Sequence, residues 1–149
     1  MPPESELDEL YRDVILDHYR SPRNKGRLPK PTVTSEGVNP LCGDEITLYI
    51  DLDGDKIGDI KFQGSGCSIS QSSVSMMTEL LKGKPLDEAL SLVAAFRGLL
   101  HGVEPEAREE LGDLEALQGV RKYPGRVKCA VLGWSTLEEG IKRHLKKDA

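Results

Sequence analysis

The residues able to do chemistry sit in three short stretches. Asn39-Pro40-Leu41-Cys42-Gly43-Asp44 puts a thiol and a carboxylate one glycine apart, just before an apolar run. Gly64-Ser65-Gly66-Cys67-Ser68 and Arg126-Val127-Lys128-Cys129-Ala130 carry the other two of the three cysteines. Zinc takes four tetrahedral ligands drawn from Cys, His and carboxylate, and Cys42, Asp44, Cys67 and Cys129 supply that set. Cysteine thiolates are also the usual ligands of iron–sulfur clusters, so the same positions could hold [2Fe–2S]. The spacing is not the paired CxxC of a zinc ribbon; placement carries the expectation. Each cysteine falls where a loop meets a strand or helix, and none falls inside an apolar stripe. Three buried cysteines acting as small hydrophobes is the competing interpretation. It fits Cys67, between Gly66 and Ser68, and Cys129, beside Lys128, poorly. We therefore expect the four residues to converge on one metal-binding, sulfur-handling site near the surface.

Asp44 is a hard oxygen ligand in a soft sulfur set and should be the easiest to displace. Such a site can open without falling apart, and a freed cysteine could attack a persulfide on another protein. Arg126 and Lys128 are placed to offset the negative charge of the site or steer an anionic sulfur species inward. Pairing on a helix surface is their alternative role.

The elements that must position these residues follow from periodicity. Ser5 and Asp8 resemble a capping box. Leu7, Leu10, Tyr11, Val14, Ile15 and His18 then mark one face of a helix closed by Ser21-Pro22. A single histidine on such a face reads as structure rather than ligand. Residues 21–40 form an irregular connection with a short edge strand around 33–38. Residues 45–52 alternate as a half-buried strand with Ile46, Leu48 and Ile50 on one face. Asp53-Gly54-Asp55 turns the chain into a second strand through Ile57, Ile60 and Phe62. That antiparallel hairpin makes Cys42, Asp44 and Cys67 neighbours. A helix over 68–81 puts Cys67 at its N-terminus, where the helix dipole favours a thiolate. Its Met76 and Met77 read as core filler. Another helix runs from Pro85 to Gly98 or Gly102. Residues 103–125 read as an acidic excursion, with Leu111, Leu114 and Leu117 spaced for a short amphipathic helix and His101 solvated at its edge. A last helix over 127–146 buries Val127, Val131, Trp134, Leu137, Ile141 and Leu145, exposes His144, and holds Cys129 in its first turn. The expectation is one α+β domain over 1–149, an antiparallel sheet with helices packed on one face.

Bulk properties narrow the function classes. At 149 residues, with 38% hydrophobic and 30% charged content, the chain suits one domain with a real core. A net charge of −5 argues against nucleic acid as the main partner. No apolar run approaches the roughly 20 residues needed to span a bilayer. The acidic N-terminus lacks the apolar core of a secretory signal. A cytoplasmic location is expected, where three cysteines argue for metal or thiol chemistry over a disulfide. Lys142, Arg143, Lys146 and Lys147 read as a helix end answering its own dipole; a docking patch for an acidic partner is the other possibility.

Cys42-Gly43-Asp44, Gly64-Ser65-Gly66-Cys67 and Lys128-Cys129 resemble the three-cysteine-plus-aspartate signature of the IscU/NifU-like iron–sulfur scaffold superfamily. The resemblance spans nearly the whole chain, including Tyr11, Tyr19-Arg20-Ser21-Pro22-Arg23-Asn24 and Trp134. Within it the chain is more similar to the SufU branch. Lys128 stands where IscU proteins carry histidine, residues 103–125 look like the SufU insertion, and the Leu-Pro-Pro-Val-Lys chaperone motif is absent. The resemblance implies zinc held by Cys42, Asp44, Cys67 and Cys129. It implies persulfide sulfur accepted from a SufS-like cysteine desulfurase, with Cys42 freed as acceptor by a ligand swap, and passed to a SufBCD-type scaffold complex. Whether such a sulfurtransferase counts as an enzyme is left open. The alternatives are a scaffold that assembles a [2Fe–2S] cluster on the same residues, or a structural zinc module that only binds a partner.

Overall fold

The structure, a computed structural model, describes residues 4–41, 43–103 and 108–147; the side chains of 4–11, 108, 109 and 147 are outside the description. The chain runs α1 (Glu4–Arg20), β1 (Val33–Asn39), β2 (Asp44–Asp53), β3 (Lys56–Ser65), α2 (Ser68–Leu81), α3 (Leu86–Leu100), α4 (Arg108–Leu111), a 3-10 helix (Gly112–Lys122) and α5 (Pro124–Lys147). The expected α+β class is the one observed. The side chains of Ser5, Asp8 and Tyr11, and so the capping box, lie outside the described residues.

The sheet is antiparallel in the order β1-β2-β3. Ile46, Leu48 and Ile50 alternate inward and are buried, as period two requires. The inward residues of β3, Ile57, Ile60 and Phe62, break that period. A register shift at Asp51/Leu52, where Asp59 pairs with Asp51 and Ile57 with Leu52, leaves Gly58 as the extra residue of a bulge. The bulge resets the alternation so that both Ile57 and Ile60 face the core. On the outer face Tyr49 is also buried, because the Arg27 guanidinium lies 5.7 Å over its ring and Gln63 Oε1 accepts its hydroxyl at 2.7 Å. The 21–32 connection covers the edge of β3: Gly26 N donates to Phe62 O and Phe62 N to Asn24 O. An edge covered in this way is not open to another strand.

The helices stack on the inner face. Trp134 on α5 is fully buried, stacked on Phe96 of α3 with ring centroids 4.5 Å apart. Its Nε1–H donates to Ser73 Oγ, which itself donates to the Ala130 carbonyl. Helix α2 is thus an unusually polar buried helix, with Ser70, Ser72, Ser73, Ser75 and Thr78 all under cover. Small hydroxyl residues let its neighbours approach closely while their protons find acceptors. Met76 and Met77 are core, as expected.

Three expectations are corrected. Residues 112–122 form a 3-10 helix, not an α-helix. Its buried residues Leu114, Leu117 and Val120, with Leu111 before them, recur at every third position. Three residues per turn stacks that stripe on one side. Leu145, expected buried, is 46% exposed. His144, expected exposed, is half-buried beside Thr32, Val33 and Thr34.

His18 is buried and structural. Its Nδ1 lies 2.8 Å from Ser75 Oγ, which also accepts the Arg23 N–H at 2.8 Å. A hydroxyl that accepts from Arg23 can give its proton to Nδ1, which leaves Nε2–H facing Asp113 Oδ2 at 3.9 Å in the 3-10 helix. Burial, reinforced by the Arg23 charge, holds the imidazole below its ordinary pKa, against the opposing pull of Glu79, Asp113 and Asp17. The unfolded chain therefore binds the proton more readily, so this contribution to stability is present above about pH 6.5 and is lost as pH falls below it. Thermal unfolding followed from pH 7.5 down to 5.5 should show a falling Tm in the native chain and a shallower fall in His18→Gln. Equal slopes would remove His18 from the pH response.

Candidate metal centre

Asp44 opens β2 and Ser65 closes β3, and pairing of Glu45 with Ser65 sets these ends side by side. The carboxylate of Asp44 is buried at 1% exposure. Its Oδ1 accepts the backbone N–H of Cys67 at 2.8 Å, and its Oδ2 lies 3.9 Å from Cys67 Sγ. The contact depends on Gly66. That residue has φ +150°, and a Cβ there would collide with Asp44 Oδ1. A side chain at position 66 is thus excluded both by backbone conformation and by space. Cys67 is the N-cap residue of α2 and is half-buried. The first N–H groups of α2 and its dipole favour negative charge at that point.

Cys129 arrives from the far end of the chain on α5. The expected placement in the first turn needs correcting. Helix α5 starts at Pro124, suited to a first helical position, so Cys129 lies in its second turn. There its thiol donates to the Gly125 carbonyl at 3.8 Å. It is also fully buried, beside buried Ala130, which corrects the expectation that no cysteine lies on an apolar face. Asn39, the last residue of β1, points its Nδ2 at Cys129 Sγ from 3.8 Å.

Asp44, Cys67 and Cys129 thus meet, with one ligand atom from each all within 4.8 Å of one another. Tetrahedral zinc with bonds of about 2.3 Å to sulfur spaces its ligands at about 3.7 Å. A closure of little more than about an ångström suits the three to one ion. Cys42, the fourth expected ligand, lies outside the described residues; its neighbours Leu41 and Gly43 are exposed and Asp44 is two residues on. The donor set fits a thiophilic cation. A buried carboxylate, a buried sulfur and a half-buried one repel one another when ionised, and burying uncompensated charge costs several kcal/mol. A cation among them removes that cost.

Exposure differs across the centre. Cys67 opens into a groove of about 810 Å³ floored by Ile15, Leu16, Ile69 and Val120, with Arg12 and Arg126 among its lining residues. Arg126 thus lines the same groove as Cys67. Lys128 does not share that groove; it lines a separate depression of about 400 Å³ with His101 and Arg121. His101 is exposed at the end of α3, its Nδ1 donating to the Arg97 carbonyl at 2.7 Å. Asn39 was missed as a site residue. The signal available was a polar residue at the inward position of an alternating strand, after Val33 and Ser35.

Comparison with known proteins gives the class. The NifU-like N-terminal domain family matches residues 10–149, and the chain belongs to that family. The zinc-dependent sulfurtransferase SufU of Bacillus subtilis is 52% identical over 135 residues, 91% of each chain. The iron–sulfur cluster assembly scaffold protein IscU of Streptococcus pyogenes is 45% identical over 139 residues, 93% of this chain and 87% of that one. Among solved structures, a SufU from Fervidobacterium islandicum, described as a candidate assembly scaffold for the SUF system, superposes with TM-score 0.82 at 40% identity. That match covers 86% of this chain and 93% of the other. A NifU-like N-terminal domain from Brucella abortus shares the fold at TM-score 0.85 and 23% identity, over 96% of this chain and 99% of that one.

The Gly66 contact yields a test of the geometry. Gly66→Ala should push Asp44 from Cys67 and weaken metal binding by about tenfold or more, while helix content by circular dichroism stays near the native value. Native affinity in that variant would show that the Asp44–Cys67 contact does not build the site.

Proposed function

We propose that this chain is a zinc-dependent sulfurtransferase of iron–sulfur cluster assembly, with Cys42, Asp44, Cys67 and Cys129 as its ligands. The carrying observation is the buried meeting of Asp44, Cys67 and Cys129, with Cys67 the one among them that opens to a groove. A closed structural zinc site would use Cys and His only; a carboxylate here supplies a ligand that can let go. Bound zinc would keep the sulfurs as thiolates. The SufU relative, named a zinc-dependent sulfurtransferase, supports this reading.

The chemistry needs no oxidant. A thiolate of this chain attacks the terminal sulfur of a persulfide on a donor protein. One S–S bond forms and one breaks, the donor cysteine leaves as thiolate, and the persulfide now stands on this chain. By the family resemblance the acceptor is Cys42 and the donor a SufS-like cysteine desulfurase; a SufBCD-type scaffold complex then takes the sulfur. The basic residues of the groove, Arg12, Lys122 and Arg126, suit an anionic persulfide and an acidic partner surface on an otherwise acidic chain. Free thiolates of this kind belong in a reducing compartment such as the cytoplasm.

The freshly purified protein should hold one zinc and raise the turnover of its desulfurase. Cys42→Ala should abolish that stimulation; full stimulation by this variant would remove Cys42 from the acceptor role. Asp44→Ala, lacking the yielding ligand, should still hold zinc through its thiolates, though less tightly than the native chain, yet fail to accept sulfur. Unchanged sulfur transfer in Asp44→Ala would discard the displaceable-ligand role. The IscU relative keeps a scaffold function in view. It would take precedence if anaerobic reconstitution gave a stable [2Fe–2S] cluster that moves to an apo-protein faster than sulfur does.

A further inference from the structure

Ligands gathered around one ion need not be equivalent, and the structure separates Cys129 from Cys67. Cys129 is fully buried, whereas Cys67 borders a groove. The burial of Cys129 comes from the way β1 lies along α5. The inward row of β1 meets α5 step by step. Ser35 Oγ donates to the Thr136 carbonyl at 2.8 Å. Gly37 lies so close to Thr136 and Leu132 that a Cβ would collide with Thr136 Oγ1. Asn39 then reaches Cys129. Two residues of strand advance by about 6.6 Å and three or four residues of helix by about 4.5 to 6 Å, so over these few steps the two rows stay nearly in step. Asn39 is the last tooth of this zipper, 7% exposed, and its strand partner across the sheet is Asp44.

A metal-bound thiolate carries no proton and can only accept hydrogen bonds. The S–H···O contact of Cys129 with Gly125 disappears when the sulfur is ligated, whereas the contact from an amide N–H remains. We propose that Asn39 is a positioning residue. Its Nδ2–H donates to Cys129 Sγ and holds that sulfur as the fixed ligand of the centre, so that exchange falls to Asp44 and the other cysteines. Donors to ligating atoms orient them and tune their bonds to the metal, and removing such a partner typically weakens binding 10- to 100-fold. This proposal rests on the metal-centre assignment above.

The test uses the full chain loaded with cobalt(II), whose thiolate charge-transfer bands report on sulfur. Asn39→Asp keeps the side-chain shape but replaces the donor with an acceptor. It should lose metal to a chelator at least tenfold faster and move the sulfur-to-cobalt band to lower energy. Ser35→Ala breaks the zipper one step away and should leave both readouts native while lowering Tm. A native band and native release rate in Asn39→Asp would overturn the proposal, as would an equal change in Ser35→Ala. Should Asn39→Asp fail to fold, the native chain decides. With 113Cd bound and asparagine labelled with 15N, the Asn39 side-chain amide proton should couple to the metal through sulfur. Absence of that coupling would also reject the role. If the native chain binds neither cobalt nor cadmium, the metal-centre assignment itself fails, and Asn39's role with it.

Discussion

The structure turns on the carboxylate of Asp44. It is buried at the start of β2, accepts the N–H that begins α2, and lies against a residue that must be glycine. Hairpin pairing brings it there: Glu45 opposite Ser65 leaves no other place for Asp44 and Cys67 than beside each other. A charge taken out of water in this way is tolerated only with compensation. One backbone N–H compensates in part, and a cation shared with two sulfurs would supply the rest. Position, burial and chemistry therefore agree at one point.

The second contribution is long-range. Cys129 is brought to Asp44 by α5, which is fixed along β1 by close backbone approach and by hydrogen bonds from inward-facing polar residues. Gly37 and Gly140 make the approach possible; a Cβ on Gly140 would fall 2.8 Å from that of Ser35. Trp134, stacked on Phe96 and hydrogen-bonded to Ser73, ties the same helix to α3 and α2. The core and the centre thus share one helix. Mutations deep in the core, such as Trp134→Ala at about 3 to 5 kcal/mol, would loosen Cys129 as well as the fold.

Much of this was legible in the sequence because its signals are local. Alternation at Ile46, Leu48 and Ile50, a two-residue turn at Gly54 and Asp55, and a helical period after Cys67 together dictate a hairpin that joins Asp44 to Cys67. What escaped depended on partners distant in the chain. Pro124-Gly125 reads as a stop and puts the expected start of α5 at residue 127, although proline is equally at home in a first turn. Cys129 looked peripheral beside Lys128, yet adjacent helical residues point in different directions, so one is exposed and the next buried. The 3-10 helix had a visible signature in Leu111, Leu114, Leu117 and Val120, a strict period of three. Long 3-10 helices are rare, so the same leucines read first as a short amphipathic α-helix. Asn39 could be recognised only once β1 was laid along α5.

The most direct measurement is X-ray absorption at the zinc edge of freshly purified native protein, with metal content determined on the same sample. One zinc per chain, with three sulfurs at about 2.3 Å and one oxygen at about 2.0 to 2.2 Å, is the predicted result. A zinc surrounded by sulfur and imidazole without a carboxylate oxygen, or a chain that carries no metal and binds none on addition, would contradict it.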